Sequence, residues 1–393
     1  MNYIERDIFK ELKKHLSLKQ AIILTGLRRT GKTTLVKKLL EMVKSTNKIY
    51  IDLENLGNRN LFSEENYDNI ISGLQSYNLT FKKKAYIAID EIQFLPKIVS
   101  VIKYLYDRYD IKFILTGSSS YYIKNLFTES LSGRKKIFIL NTLSFGEFLR
   151  FKGENRIKNT RGILNFNRFN YERLKNFYNE YLHFGGFPEV TLTSQKQQKK
   201  DLLNDILGSY LRTDIKAFTE IRDERNISNL LKMLAASTGS KIDYTKLSSL
   251  TGISRPTLYN YLYLFENTFL IHRLKVYSKS INRQIVKAPK LYICDNGILN
   301  VLARVSSGTI FENSIFNQLK HYGQLNYWQE KSGNEIDFIL DSKFAYESKE
   351  SSGNRDYEKL KRFSGILKLK NPKIIVKNPP KDFNEFLWGG DIL

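Results

Sequence analysis

The stretch AIILTGLRRTGKTTLVKKLLEMV, residues 21–43, leaves this chain few folds to choose from. An apolar run of strand type leads into a loop bounded by Gly26 and Gly31, and Lys32-Thr33 open an amphipathic helix. Glycines at those positions let backbone N–H groups wrap a phosphate chain, and the helix N-terminus adds positive potential. Lys32 then reaches the β- and γ-phosphates and the Thr33 hydroxyl ligates Mg2+, with Arg29, Thr30 and Thr34 in the same cradle. A plain glycine turn between strand and helix explains neither the lysine nor the threonine. The implied ligands are ATP and Mg2+.

A second apolar strand, AYIAIDEIQFL, ends in adjacent carboxylates, Asp90 and Glu91. Alone, it reads as a solvated strand end. Following a complete phosphate loop within the same αβ pattern, it reads as a Walker B pair: Asp90 holds Mg2+ and Glu91 orients or deprotonates the attacking water.

A third strand, IKFILTGSSS, ends in Thr116, Gly117 and Ser118, and the segment after it closes on LSGRKK before the strand IFILNTL. These stretches, together with YIERDI, TGLRRTGKTTL, IDEIQ, LSFGEFL, FGGFPEV, FENSIFNQL and EIDFIL, resemble prokaryotic AAA+-type ATPases with a C-terminal domain of uncharacterised function. The resemblance spans nearly the whole chain. It implies an α/β P-loop core with a parallel sheet, in which Thr116 is the γ-phosphate sensor, with Ser118 next to it, and Arg134 is an arginine finger. A finger there points into a neighbouring subunit, which implies a homo-oligomer, a hexameric ring among the assemblies open to it. The plainer reading of Arg134 is a solvated basic helix end that suits the helix dipole. Arg6, which precedes the core, is placed by the same resemblance on the adenine side of the nucleotide.

At 393 residues the chain implies two to four domains. Its hydrophobic content of 41% suffices for globular packing. The longest apolar runs fall short of the roughly 18 residues a membrane span needs. The charged start lacks the apolar segment of a secretory signal, and the lone Cys294 leaves no intrachain disulfide, so a cytoplasmic protein without a membrane partner is expected. A formal net charge of +23 favours a polyanion, either nucleic acid or an anionic membrane surface, although a chain this rich in Lys, Asn and Ile also carries a bias that AT-rich coding produces.

The divisions expected are a core over 1–145, a helical lid over 146–238 with a turn at Gly185-Gly186 and Pro188, a winged helix-turn-helix over 239–284, and a last domain over 285–393. In YTKLSSLTGISRPTLYNYLYLFEN, Leu258, Tyr261, Leu262 and Phe265 form the buried stripe of the second helix. Its outer side offers Arg255, Thr257, Tyr259, Asn260 and Tyr263, poor in the residues that anchor a recognition helix. The wing differs. No acidic residue lies between Glu266 and Asp295, while Arg273, Lys275, Lys279, Arg283, Lys287 and Lys290 do, a spacing suited to phosphate contacts. A purely structural or subunit-binding winged helix is the rival reading.

Near the C-terminus, NEIDFILDSKFAYESKE places Asp337 on one strand and Glu347 and Lys349 on the next, and the preceding helix sets Glu312 in line with Ile315, Phe316 and Leu319. A carboxylate on an apolar face needs a cation or a partner. A helix Glu, a strand Asp and a Glu-x-Lys strand make the ligand set of the PD-(D/E)XK nuclease fold, a restriction-endonuclease-like α/β domain whose carboxylates hold Mg2+. Solvated edge-strand charges are the plainer reading. Retained cleavage is as open as a relic whose carboxylates pair with a basic group. The function implied is an Mg2+-dependent ATPase acting on DNA as a motor or remodeller, in repair, recombination or defence. The rivals are a nucleotide-controlled switch that binds a protein, and an ATP-gated nuclease.

Overall fold

The computed structural model describes residues 3–118, 133–154, 162–215, 224–330, 332–380 and 385–393. The segment expected to form a helix ahead of Arg134, part of the polar stretch after Phe151, and residues 216–223 of the expected lid lie outside the described residues. The chain divides into two compact units, Met1–Asn141 with Asn267–Phe269, and Thr142–Glu266 with Leu270–Leu393.

The first unit is built on five parallel strands in the order β2-β3-β4-β1-β5: β1 (Ala21–Thr25), β2 (Lys48–Asp52), β3 (Ala85–Asp90), β4 (Ile111–Gly117) and β5 (Lys135–Ile139). Parallel strands covered on both faces read as continuous apolar runs, and β1 and β4 are buried throughout. Alternation along each strand then sorts the side chains into two cores. Ala21 and Ile23 pack with Ile87, Ile89, Phe113 and Leu115 on one face. On the other, Ile22 and Leu24 pack with Ala88, Ile114 and the Leu35, Val36, Leu39 stripe of helix Lys32–Glu41. The parallel register sets Thr25 beside Gly117 and Asp52 beside Asp90, so one sheet edge collects the strand ends that carry the polar motifs.

The second unit opens with helix Phe145–Phe151, started by a capping box in which Ser144 and Glu147 satisfy each other's backbone N–H. Helix Arg168–Phe184 stops at Gly185, whose φ of 72° favours glycine and whose added Cβ would lie 1.9 Å from Asp295 Oδ1. Asp295 instead accepts the N–H groups of Gly186 (2.7 Å) and Gly297 (2.8 Å), which fixes the FGGFPEV turn. Helices Glu224–Ala236, Tyr244–Thr251 and Arg255–Asn267 are followed by an antiparallel hairpin, β6 (Ile271–Leu274) with β7 (Lys290–Ile293). Helix Ser307–Leu319 then leads to a sheet ordered β12-β11-β10-β9-β8, made of β8 (Leu325–Gln329), β9 (Glu335–Leu340), β10 (Phe344–Lys349), β11 (Lys370–Val376) and β12 (Phe386–Trp388). Strands β8, β9 and β10 run antiparallel to one another. Helix Asn354–Leu367 crosses over, after which β10, β11 and β12 are parallel. An aromatic core of Phe145, Tyr178, Tyr292, Phe311 and Trp388 fills this unit. Among the described residues no helix is long and apolar enough to cross a membrane.

Candidate functional site

The phosphate loop leaves β1 where its backbone cannot carry a side chain. Gly26 sits at φ 144°, and a Cβ there would lie 2.2 Å from the Leu140 carbonyl oxygen. Gly31, at φ 95°, turns the chain into helix Lys32–Glu41. Lys32 is buried, its Nζ donating to the carbonyls of Gly26 (2.8 Å) and Leu27 (2.9 Å), which keeps the ammonium inside the loop. Thr30 is buried and donates to the Leu27 carbonyl, whereas Arg29, at φ 61°, and Thr34 are exposed.

Asp90 gathers the rest. Its Oδ2 accepts from Thr33 Oγ1 at 2.6 Å and from the Tyr50 hydroxyl at 2.6 Å, and its Oδ1 accepts from Thr116 Oγ1. Thr116 also accepts the Glu91 N–H at 3.0 Å, so one hydroxyl lies between the two Walker B positions. Burial and the hydrogen bond to Asp90 push the Tyr50 phenol far above its usual range, so it remains a donor. Glu91 sits in the left-handed region at φ 55°, and its carboxylate accepts from Gln93 Nε2, which also donates to Ser118 Oγ at 3.0 Å. A hydroxyl and a carboxylate oxygen 2.6 Å apart beside the loop are of the donor types Mg2+ takes beside nucleotide phosphates, so Thr33 and Asp90 are the residues that would hold it. Sequence reasoning assigned no role to Tyr50, which lies in no motif, or to Gln93, which closes IDEIQ.

Arg6 is buried, with its guanidinium donating to the Thr30 carbonyl (2.9 Å) and the Asn141 carbonyl (2.8 Å). It thus ties Thr30 of the phosphate loop to Asn141. Arg134 lies at the opposite edge of the sheet from the loop: its carbonyl accepts the Ala21 N–H at 2.8 Å, and its side chain pairs with Asp107 at 2.8 Å.

In the second unit, Glu312 and Asp337 face one pocket, and the cation in it is Lys290. Its buried Nζ lies 2.9 Å from Glu335 Oε1, 3.4 Å from Asp337 Oδ1 and 3.5 Å from Glu312 Oε1. Burial alone favours losing that proton, but the charges of Asp337, Glu312 and Glu335 outweigh it and hold the ammonium well above its ordinary range. The Tyr292 hydroxyl donates to Glu312 at 2.7 Å, and Ser348 donates to Asp337 through both its N–H and its hydroxyl at 2.9 Å. Glu347 pairs with Lys349 at 3.1 Å. Burial and the Asp337 charge push both the Glu312 and Glu347 carboxyls upward. Among the described residues no group of three or more His, Cys, Asp or Glu is arranged to hold a metal ion. The sequence reading had put Lys290 in the basic wing. The missed signal for the pocket was Glu335, which shares a strand face with Asp337.

The basic segment divides in the same way. Lys275, Lys279, Arg283 and Lys287 are exposed, although Arg283 also donates to the Gln329 carbonyl at 2.9 Å. Arg273 is half-buried and held by Glu266, with its Nε at 2.9 Å. Arg255 is exposed and donates to Thr245 Oγ1 at 2.9 Å.

Residues 18–149 match the family model described as AAA domain. The first unit is a P-loop fold of AAA type. Residues 175–309 match a domain of unknown function, DUF8612, and residues 307–385 a second, DUF4143. An uncharacterized protein of Methanocaldococcus jannaschii is 28% identical over 375 residues, covering 91% of this chain and 82% of its own length. One of Haemophilus influenzae is 26% identical over 331 residues, covering 81% of this chain and 78% of its own. Among solved structures, the ORC2 protein of Aeropyrum pernix in ADPNP-ADP complexes aligns with a TM-score of 0.43 at 14% identity, over 77% of this chain and 95% of that one. A RuvB variant of Thermotoga maritima aligns with a TM-score of 0.33 at 18% identity, over 67% and 89%. Likenesses of that size speak to neither activity nor ligand.

Proposed function

We propose that the chain is an oligomeric, Mg2+-dependent ATPase that acts on DNA. The observation that carries the ATPase reading is the convergence on Asp90 of Thr33 from the phosphate loop and Thr116 from β4, with Glu91 tied to the same threonine through its N–H. Bound at Thr33 and Asp90, Mg2+ would neutralise charge on the transferring phosphoryl group. Lys32 exchanges loop carbonyls for phosphate oxygens, and Thr116 senses occupancy because it already touches both carboxylate residues. Glu91 takes the water proton once its carboxylate leaves the Gln93 amide. Gln93 also bonds Ser118, which directly follows β4.

For the second unit, three helices followed by a hairpin support a winged helix-turn-helix. The order helix, three antiparallel strands, helix and parallel strand supports a PD-(D/E)XK-like domain. The DNA reading rests on Lys275, Lys279, Arg283 and Lys287, exposed on a segment without acidic residues. One feature favours the rival, a nucleotide-controlled switch with a protein partner. Ile281, Ile285 and Val286 are 71%, 75% and 82% exposed on the same segment, apolar surface a backbone-binding wing does not need. ATP turnover measured against single-stranded, duplex, forked and four-way DNA separates the two. Stimulation by at least one form is expected, and turnover indifferent to all four would leave the switch.

A further inference from the structure

The PD-(D/E)XK likeness implies a divalent cation shared by Glu312, Asp337 and Glu347, and the side chains present do not fit one. The Lys290 side chain, only 4% exposed, already places Nζ within 3.5 Å of Glu312, Glu335 and Asp337, donating hydrogen bonds to Glu335 and Asp337 and forming an ion pair with Glu312. A divalent cation bound to those oxygens would bring like charges together beside the buried Lys290 ammonium, where repulsion is weakly screened. The third expected ligand, Glu347, is paired with its own cation, Lys349. The geometry is local to one strand face: Lys290 and Tyr292 are two residues apart on β7, and both reach Glu312.

We infer that the Lys290 ammonium is the resident cation of this pocket, in the place a nuclease of this fold gives to a metal, so that the C-terminal domain neither holds a divalent cation there nor cleaves DNA. The ammonium serves structure instead. It comes from the β6–β7 hairpin, while its carboxylates come from helix Ser307–Leu319 and β9, so the three ion pairs fasten the hairpin to the C-terminal sheet.

The test uses full-length protein without nucleotide and carrying Lys32→Ala, so that the phosphate loop does not contribute. Mn2+ binding is followed by electron paramagnetic resonance of the free ion, melting is followed with and without Mn2+, and cleavage of labelled linear and branched DNA is assayed with Mg2+ or Mn2+. Protein with Lys290 intact should bind no stoichiometric Mn2+, melt at an unchanged temperature and leave DNA uncut. Lys290→Ala should melt lower by roughly 5–10 °C, because it strands buried carboxylates, and Mn2+ should recover part of that loss. One Mn2+ bound per chain with Lys290 intact, and lost in Asp337→Asn, overturns the inference. So does DNA cleavage abolished by Asp337→Asn, or a Lys290→Ala protein that melts unchanged and ignores Mn2+. Should Lys290→Ala fail to fold, the Mn2+ and cleavage measurements on protein with Lys290 intact, with and without Asp337→Asn, still decide.

Discussion

Lys32 and Glu91 stand on opposite sides of the same chemistry, and their partners explain why their loss has different consequences. Lys32 donates to two loop carbonyls that, on the proposed reading, it exchanges for phosphate, so Lys32→Ala should remove ground-state binding of nucleotide. Glu91 touches neither loop nor Asp90 through its carboxylate; its partner is Gln93, and its assigned task is the water. Glu91→Gln therefore keeps nucleotide affinity within a few-fold and lowers turnover by about 10²–10⁴, the usual contribution of a positioned general base. Equilibrium nucleotide binding and steady-state phosphate release on both variants check this. Normal turnover in Glu91→Gln would remove the Walker B assignment.

On the proposed DNA reading, the basic segment between β6 and β7 would bind through side chains that are exposed and not committed to a carboxylate. Arg273 is committed to Glu266 and Lys290 to the carboxylate pocket, so neither enters the count. Replacing Lys275, Lys279 and Arg283 together with Ala should weaken binding to all sequences alike. It should also flatten the slope of log K against log salt by about 2–3, at roughly 0.9 per phosphate contact. Sequence preference should stay as it was, because phosphates carry none. Fluorescence anisotropy over a salt series measures both, and an unchanged slope would move the DNA elsewhere on the protein.

For the assembled molecule, the decisive group is Arg134. It immediately precedes β5 and its carbonyl accepts the Ala21 N–H, whereas the phosphate loop follows Thr25 at the other end of β1, a strand of five residues that spans about 16 Å. On the proposed reading, a finger there does not easily reach its own nucleotide. Its pairing with Asp107 leaves the side chain 41% exposed, and an exposed pair of this kind is worth at most about 1 kcal/mol, so a neighbouring subunit's phosphate could outcompete it. If it acts in trans, Arg134→Ala and Glu91→Gln subunits, each inactive alone, should regain part of the ATPase when mixed, since one brings an intact site and the other an intact finger. Mixtures that stay inactive at every ratio while remaining oligomeric would assign Arg134 to the ion pair alone.

The conformation of the phosphate loop was legible in the sequence because it is made by consecutive residues. Gly26 to Thr33 need only the strand before them and the helix after them, and apolar runs of the parallel-sheet type announced both. The strand end carrying Asp90 and Glu91 and the helix stripe of Leu258, Leu262 and Phe265 were legible for the same reason. What the tertiary structure decided was where long side chains find their partners. Lys290 looks like its basic neighbours in sequence, yet meets Asp337 across 47 positions, and Arg6 meets Asn141 across 135. A hydrophobic period is fixed by backbone geometry over a few residues. The partner of a buried charge is fixed by whichever distant segment the fold brings within about 3 Å, since a charge taken out of water must find one.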